Sequence, residues 1–432
     1  MHDDVPAVCR HAQRNGATQP ARGAGDEGNF SWSRVHIGVS CLFGRRWPYT
    51  IEAMPLPEPS ADALLVSRAL ASLIRNDIRA NHDWISFARF MELALYAEGL
   101  GYYAGGSSKL GKDGDFTTAP EITPLFGATI GRFAIDCFGT EPLRILEFGA
   151  GTGRLALDVM QSLSKQGVVV DQYLIVELSA DLRERQRGML VDFPQVQWLS
   201  VPPTAFSGLI LCNEVLDAMP VHLLVRQQDR WFERGVSLSG ECFVFSDRES
   251  DAVLAGQIPK THALPEGYLT EVHPRQCGFV RMLSDVLKAG GRGLALLIDY
   301  GFPAREYFLP QRERGTVMCH YRHHAHTDVF YLPGLQDITA HVDFTAVALA
   351  AQESGLAVAA YMSQAEFLIA AGLSDLIGQI SPEDAQRWLT QSQAIQKLTS
   401  PAEMGELFKV LLLSQGVDLP EQLLKFDRSY RL

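Results

Sequence analysis

The sequence predicts an α/β protein built on a mostly parallel, doubly wound sheet, with a helical extension before it, inserted antiparallel hairpins and a helical C-terminal region. Three observations predict this. Four short apolar runs, Leu143 to Phe148, Tyr173 to Val176, Gly208 to Cys212 and Leu294 to Ile298, read as strands that can be buried on both faces. Helix-period segments separate several of them, as crossover connections require. The first run passes into closely spaced glycines and then a helical pattern at Leu155, Val159 and Leu163.

The 432 residues leave room for two to three folding units of about 150 residues each. We expect a tail over 1–60, a helical extension over 61–140, the sheet core over 141–362 and a helical region over 363–432. The first 60 residues mix Gly, Arg, Asn, Gln and Pro without periodicity and read as disordered, translated upstream of a natural start at Met54. From Asp62, residues Val66, Leu70, Leu73 and Ile78 mark one helix face. Ser86 reads as the cap of a second helix, with Phe87, Phe90, Met91, Ala94 and Leu95 on its apolar stripe.

Gly99 to Gly114 reads as loop. Thr118-Ala119-Pro120-Glu121 then opens a helix whose Thr-x-x-Glu spacing can satisfy two orphan amides, with Pro120 in the first turn. Ile122, Leu125, Phe126, Ile130 and Phe133 give that helix its stripe. Between His222 and Asp247, alternation broken by Gly235 and Gly240 predicts antiparallel hairpins inserted in the sheet order. Ser381-Pro382 and Ser400-Pro401 read as helix starts.

Lys plus Arg number 38 against 50 Asp plus Glu, a formal charge of −12, which argues against a nucleic-acid binder. The seven cysteines are scattered with no C-x-x-C pair and read as reduced thiols. No apolar run reaches the 18 or so residues of a membrane span. A mitochondrial presequence is poor in acids, whereas here six arginines before position 50 share the segment with Asp3, Asp4, Asp26 and Glu27. The expectation is therefore a cytoplasmic protein without membrane insertion, with a homodimer left open.

The strongest chemical signal runs from Glu147 through Gly149, Ala150, Gly151 and Gly153 to Arg154. Glycines let the backbone turn sharply and approach a ligand, and the following helix offers free amides. A dinucleotide fingerprint would want glycine at position 154. Glu147 beside the loop is awkward for a pyrophosphate and suits the ammonium of a methionine moiety, which favours S-adenosyl-L-methionine over NAD. One βα unit later, Glu177 ends a strand where a carboxylate can accept both ribose hydroxyls of either cofactor.

The next strand ends in Asn213-Glu214-Val-Leu-Asp217. If a helical turn begins there, Glu214 and Asp217 share a face, and their carboxylates match a guanidinium fork. Late in the chain, Leu294 to Ile298 leads to another strand-end acid, Asp299, followed by Tyr300. Five of the twelve histidines (His320, His323, His324, His326 and His341) fall within 22 residues. No helical His-x-x-x-His pair supports a metal, and Arg322 would repel one, so these read as a hydrogen-bonding rim with no metal.

Taken together the chain resembles the MidA family, whose mitochondrial branch is a complex I assembly factor acting as a protein arginine methyltransferase. The resemblance rests on Ile85-Ser86-Phe87 with Phe90-Met91, on Gly101-Tyr102-Tyr103, and on Gly114 to Ile122 with Phe126-Gly127. It continues through the loop at Gly149 to Gly153, Asn213-Glu214 with Asp217-Ala218 and Pro220, Ile298 to Gly301, Asp337-Ile338-Thr339, and His341 to Phe344.

The resemblance implies a Rossmann-like class I methyltransferase core that uses S-adenosyl-L-methionine, with a protein substrate of the complex I subunit type. Within it, Glu147, Gly149, Ala150, Gly151 and Gly153 are expected at the methionine end and Glu177 at the ribose. Asp115, Phe116 and Thr118 are expected over the cofactor, and Asn213, Glu214 and Asp217 at the acceptor. A methyltransferase with a small-molecule acceptor, a non-catalytic assembly chaperone and an NAD-dependent oxidoreductase stay open as alternatives.

Overall fold

The computed structural model of the protein describes residues 56–105, 118–260, 263–379 and 385–432. The tail over residues 1–55, the positions Asp115 and Phe116, and the helix start at Ser381-Pro382 lie outside these segments. Helix α1 (Ala61–Ala80) buries Leu70, Ala71, Ile74 and Ile78. Leu73, expected on that face, is exposed, because a 3.6-residue period brings Ile74 into line with Leu70 and Ile78. Strand β1 (Ile85–Ser86) leads into α2 (Phe87–Tyr96), where the Ser86 hydroxyl accepts from the Arg89 amide as expected of a cap.

The capping box expected at Thr118 does not form. Helix α3 (Ala119–Ile122) ends after four residues, since Pro124 keeps Thr123 extended at φ −159°, ψ 141°. Thr123 instead caps α4 (Pro124–Phe138), and Glu121 accepts from the Thr152 hydroxyl.

The chain then alternates: β2 (Leu143–Phe148), α5 (Arg154–Lys165), β3 (Val170–Val176), α6 (Ala180–Met189), β4 (Val196–Leu199) and β5 (Gly208–Asn213). Antiparallel strands β6 (His222–Gln227), β7 (Arg230–Ser239), β8 (Cys242–Glu249) and β9 (Leu269–Val272) follow, and the helix Pro274–Gly290 leads to β10 (Gly293–Phe302). The last strands are β11 (Met318–Tyr321), β12 (His324–His326), β13 (Asp337–Thr339), β14 (Val342–Asp343), β15 (Ala357–Ser363) and β16 (Phe408–Gln415).

Among the described residues these strands form three sheets. The largest has the order β15-β16-β10-β5-β2-β3-β4, with β14 beside β10. Its β10-β5-β2-β3-β4 part is parallel, and β16 pairs antiparallel with both β10 and β15. Side chains alternate between two cores. Ile145, Tyr173, Ile175, Leu209, Leu211, Leu296 and Ile298 face one, whereas Leu146, Leu174, Ile210, Cys212 and Leu297 face the other. Both faces are covered, which is why these strands read as continuous apolar runs.

Two expectations are revised. The C-terminal region contains helices at Gln364–Ala370 and Ala385–Thr399, but it also contributes the buried strand β16. The hairpins β6 to β8 are not inserted in the main sheet. They form a second, antiparallel sheet with β1 and β9: β1 of the helical extension pairs with Gly235 and Val236 in the middle of β7, and β9 pairs with β6. A third sheet, β12-β11-β13, carries the histidine-rich segment. No helix among the described residues is long and apolar enough to cross a membrane.

Candidate active site

Strands β2, β3, β5 and β10 run parallel and end at one edge, so the residues after them face a common cleft of about 640 Å³. Glu147, Gly149, Ala150 and Gly151 line it from β2, Glu177 from β3, and Asn213, Glu214 and Asp217 from β5. Thr118 lines it as well, at the start of α3. Gly153 stands behind these as the N-terminal cap of α5.

The loop after β2 is shaped by its glycines. Gly149, Gly151 and Gly153 have φ of +65°, +54° and +89°. A side chain there costs about 1–2 kcal/mol in backbone strain. A Cβ would also meet Val215 Cγ2 at 3.1 Å from position 149 and Gln186 Cγ at 3.2 Å from position 153. The Gly153 turn sets the first amides of α5 at the end of this loop.

Glu147 is buried and accepts a 2.6 Å hydrogen bond from the Tyr173 hydroxyl. Burial pushes its carboxyl up to about 7, against the pull of that hydrogen bond. Glu177 accepts from the Ser179 amide at 2.9 Å on one oxygen and from Gln186 at 3.1 Å on the other. Burial raises its pKa too.

The helical turn expected to align Glu214 and Asp217 is absent. Buried Asp299 at the end of β10 accepts both the Leu216 and Asp217 amides, at 2.9 and 3.3 Å, through Oδ2. Those amides point to a neighbouring strand, and Glu214 takes φ +53° instead of a helical value. An irregular turn still brings both carboxylates into the cleft. Asn213 donates to Glu214 Oε1 at 3.1 Å. Burial and the nearby Asp217 push Glu214 up to about 8. Burial pushes Asp217 up to about 6, with the Tyr300 hydroxyl hydrogen-bonding to it and opposing the shift. Asp217 Oδ1 is buried without a hydrogen-bond partner.

Sequence reasoning did not assign roles to Tyr96, Tyr103, Tyr300 and Asp337, which also line the cleft. Tyr103 and Asp337 sit in motifs that carried the family resemblance, and that was the available signal. On the histidine-rich sheet, burial lowers His320 to about 4. Among the described residues no group of three or more His, Cys, Asp and Glu is placed to hold a metal.

The cleft suits S-adenosyl-L-methionine. Its left-handed glycine turn leaves main chain without side chains beside the cleft, and Glu147 and Glu177 put a carboxyl group on either side of that turn. Residues 129–362 match the family described as "Putative S-adenosyl-L-methionine-dependent methyltransferase". A crystal structure of a Burkholderia thailandensis protein bound to S-adenosyl-homocysteine is 46% identical, with a TM-score of 0.82 over 88% of this chain and 100% of that one. The Drosophila melanogaster protein arginine methyltransferase NDUFAF7 homolog, mitochondrial, is 28% identical over 407 residues, 84% of this chain and 88% of its own length. The Mus musculus protein arginine methyltransferase NDUFAF7, mitochondrial, is 27% identical over 76% of this chain and 80% of its own.

Fold and cleft together define a methyltransferase that uses S-adenosyl-L-methionine. The chain belongs to the S-adenosyl-L-methionine-dependent methyltransferase family of that model, and the MidA resemblance holds. The cytoplasmic expectation is corrected: these curated relatives are named mitochondrial, and acids among N-terminal arginines were too weak a ground for the opposite reading.

Proposed function

We propose that this methyltransferase acts on an arginine side chain of a protein, with a complex I-type subunit as the substrate that the MidA resemblance suggests. The observation that carries the reading is the acid pair Glu214 and Asp217 in the wall of the cofactor cleft. Among the described lining residues the one basic side chain is Arg154, which is held by Asp158 at 2.8 Å. The names of the Drosophila melanogaster and Mus musculus relatives support the same acceptor.

When bound, the cofactor supplies a methyl group already activated on a sulfonium sulfur. The chain's work is to align, exclude water and manage charge. Glu147 and the glycine loop hold the methionine end, and Glu177, oriented by Ser179 and Gln186, accepts the ribose hydroxyls. Thr118 borders the cleft, and Asn213 orients Glu214. Glu214 and Asp217 hold the guanidinium and localise its charge away from the attacking nitrogen. The acceptor nitrogen sheds one proton as it takes up the methyl group, and Glu214 would receive that proton. Burial raises the pKa of Glu214 to about 8, and cations bound beside it would draw it back to carboxylate, ready for that proton.

The test is incubation with methyl-labelled cofactor and arginine-containing peptides, followed by mass spectrometry. Methylarginine is expected from the wild type, with transfer about 100-fold lower in Glu214→Gln. Label on lysine or on small molecules, with none on arginine, refutes the reading.

A further inference from the structure

We infer that Arg154 grips the carboxylate of the cofactor's methionine end and that Asp158 positions it there; this rests on the placement of the methionine end at the glycine loop. Arg154 is the first residue of α5, directly after the Gly153 turn, and lines the cleft with Thr118, Pro120, Glu121 and Thr152. Its Nε donates to Asp158 Oδ2 at 2.8 Å, while neither terminal nitrogen has a hydrogen-bond or ion-pair partner among the described residues.

Asp158 is buried where α5 meets α4, and a Cβ at Gly127 of α4 would stand 2.6 Å from Asp158 Cβ, so the acid has little room to move. Helix stability alone gives poor reason for this pair. A cation in the first turn opposes the helix dipole, and a pair with the cation four residues before the anion is the weaker orientation. Asp158 also keeps Oδ1 buried without a hydrogen-bond partner. What the bond does is fix the plane of the guanidinium, so that less side-chain freedom is lost when a ligand docks on its outer edge.

Charge favours the same assignment. Among the described residues, seven Asp and Glu side chains line the cleft and Arg154 is the single base. The methionine end is a zwitterion, with ammonium and carboxylate on one carbon. Glu147, before the glycines, suits the ammonium; the carboxylate, entering among so many acids, needs a cation of its own. Arg154 follows the same glycines, so opposite charges bracket one loop. The Thr152 hydroxyl, the loop's other side-chain donor, is committed to Glu121. A guanidinium carries five N–H donors. With Nε engaged, the four on the terminal nitrogens can form the two-pronged bond that a carboxylate matches. Arg154 touches the cofactor directly, and Asp158 is a positioning residue.

The test is calorimetric titration of the full chain with S-adenosyl-L-methionine and with its decarboxylated form, which keeps the nucleoside, the sulfonium and the ammonium. The wild type should bind the decarboxylated ligand about 30-fold more weakly. Arg154→Met should weaken S-adenosyl-L-methionine about 30-fold, and Asp158→Asn about fivefold, both leaving the decarboxylated ligand unchanged. Equal losses for the two ligands, the mark of a merely structural pair, or no loss for either, overturn the inference. So does a wild type indifferent to the carboxylate. Glu147→Gln should weaken both ligands, and no change there overturns the placement of the methionine end instead. Should Arg154→Met fail to fold, Arg154→Lys, which keeps the charge and loses the fork, decides by the same selective loss, about fivefold.

Discussion

Gln186 ties the acid after β3 to the glycine loop after β2: its Nε2 donates to Glu177 Oε2 at 3.1 Å and to the Gly151 carbonyl at 2.8 Å. Trp198 in β4 holds the amide's other end, donating to Gln186 Oε1 at 2.8 Å. One fully buried side chain thus fixes the spacing between two stretches proposed to hold opposite ends of the cofactor. Gln186→Met keeps the bulk and removes these bonds. It should weaken S-adenosyl-L-methionine binding by about tenfold or more, read by calorimetry, since a hydrogen bond to a charged group contributes about 1.5–3 kcal/mol.

Glu147 makes stability depend on pH in a defined direction. Its folded pKa of about 7 lies above the ordinary 4.5, so the folded state prefers the protonated form. The contribution is neutral below the ordinary value and turns progressively unfavourable as pH rises through 7, by about 3 kcal/mol in total. Glu147→Gln should therefore raise the urea midpoint at pH 8 and leave it unchanged at pH 4, while weakening cofactor binding. Parallel pH dependences in the two proteins would rule this out.

Acceptor binding should strengthen with pH. A guanidinium binds the ionised carboxylates, and burial has moved Glu214 up to about 8 and Asp217 up to about 6. Between pH 6 and pH 8 both groups gain charge, so KM for an arginine peptide should fall about tenfold. Initial rates across that range give the profile, and Glu214→Gln should flatten its upper part.

Glu214 holds a left-handed backbone, φ +53°, that a side chain tolerates poorly. Glu214→Gly removes both that strain and a carboxyl that burial disfavours when charged. Thermal melts should show a stabilised protein, by about 1 kcal/mol, that transfers no methyl. A melting temperature below wild type would show that the side chain's hydrogen bonds outweigh the strain.

The strands that carry the cleft were legible because a sheet covered on both faces writes itself as apolar runs: Leu143–Phe148 and Gly208–Asn213 fall where the sequence placed them. β16 was not, since Val410 to Leu413 is apolar at every position and such a run has no period to separate strand from helix. Glu214 and Asp217 were readable as strand-end acids, but their turn depends on Asp299, 82 and 83 residues from the amides that it binds. The Tyr103–Asp337 contact spans 234 residues and two sheets, and nothing local in either segment encodes it.

The acid turn is moored from outside the wound sheet. The Asp217 carbonyl receives the Ala340 amide at 3.0 Å, and the Ala218 carbonyl receives the Tyr96 hydroxyl. A protein trimmed to the nucleoside-binding body alone would keep its berth for the methyl donor yet leave the proposed seat of the recipient adrift. The appended pieces are thus structural partners of the chemistry, and a minimal enzyme cannot be cut from this chain along its most obvious seam.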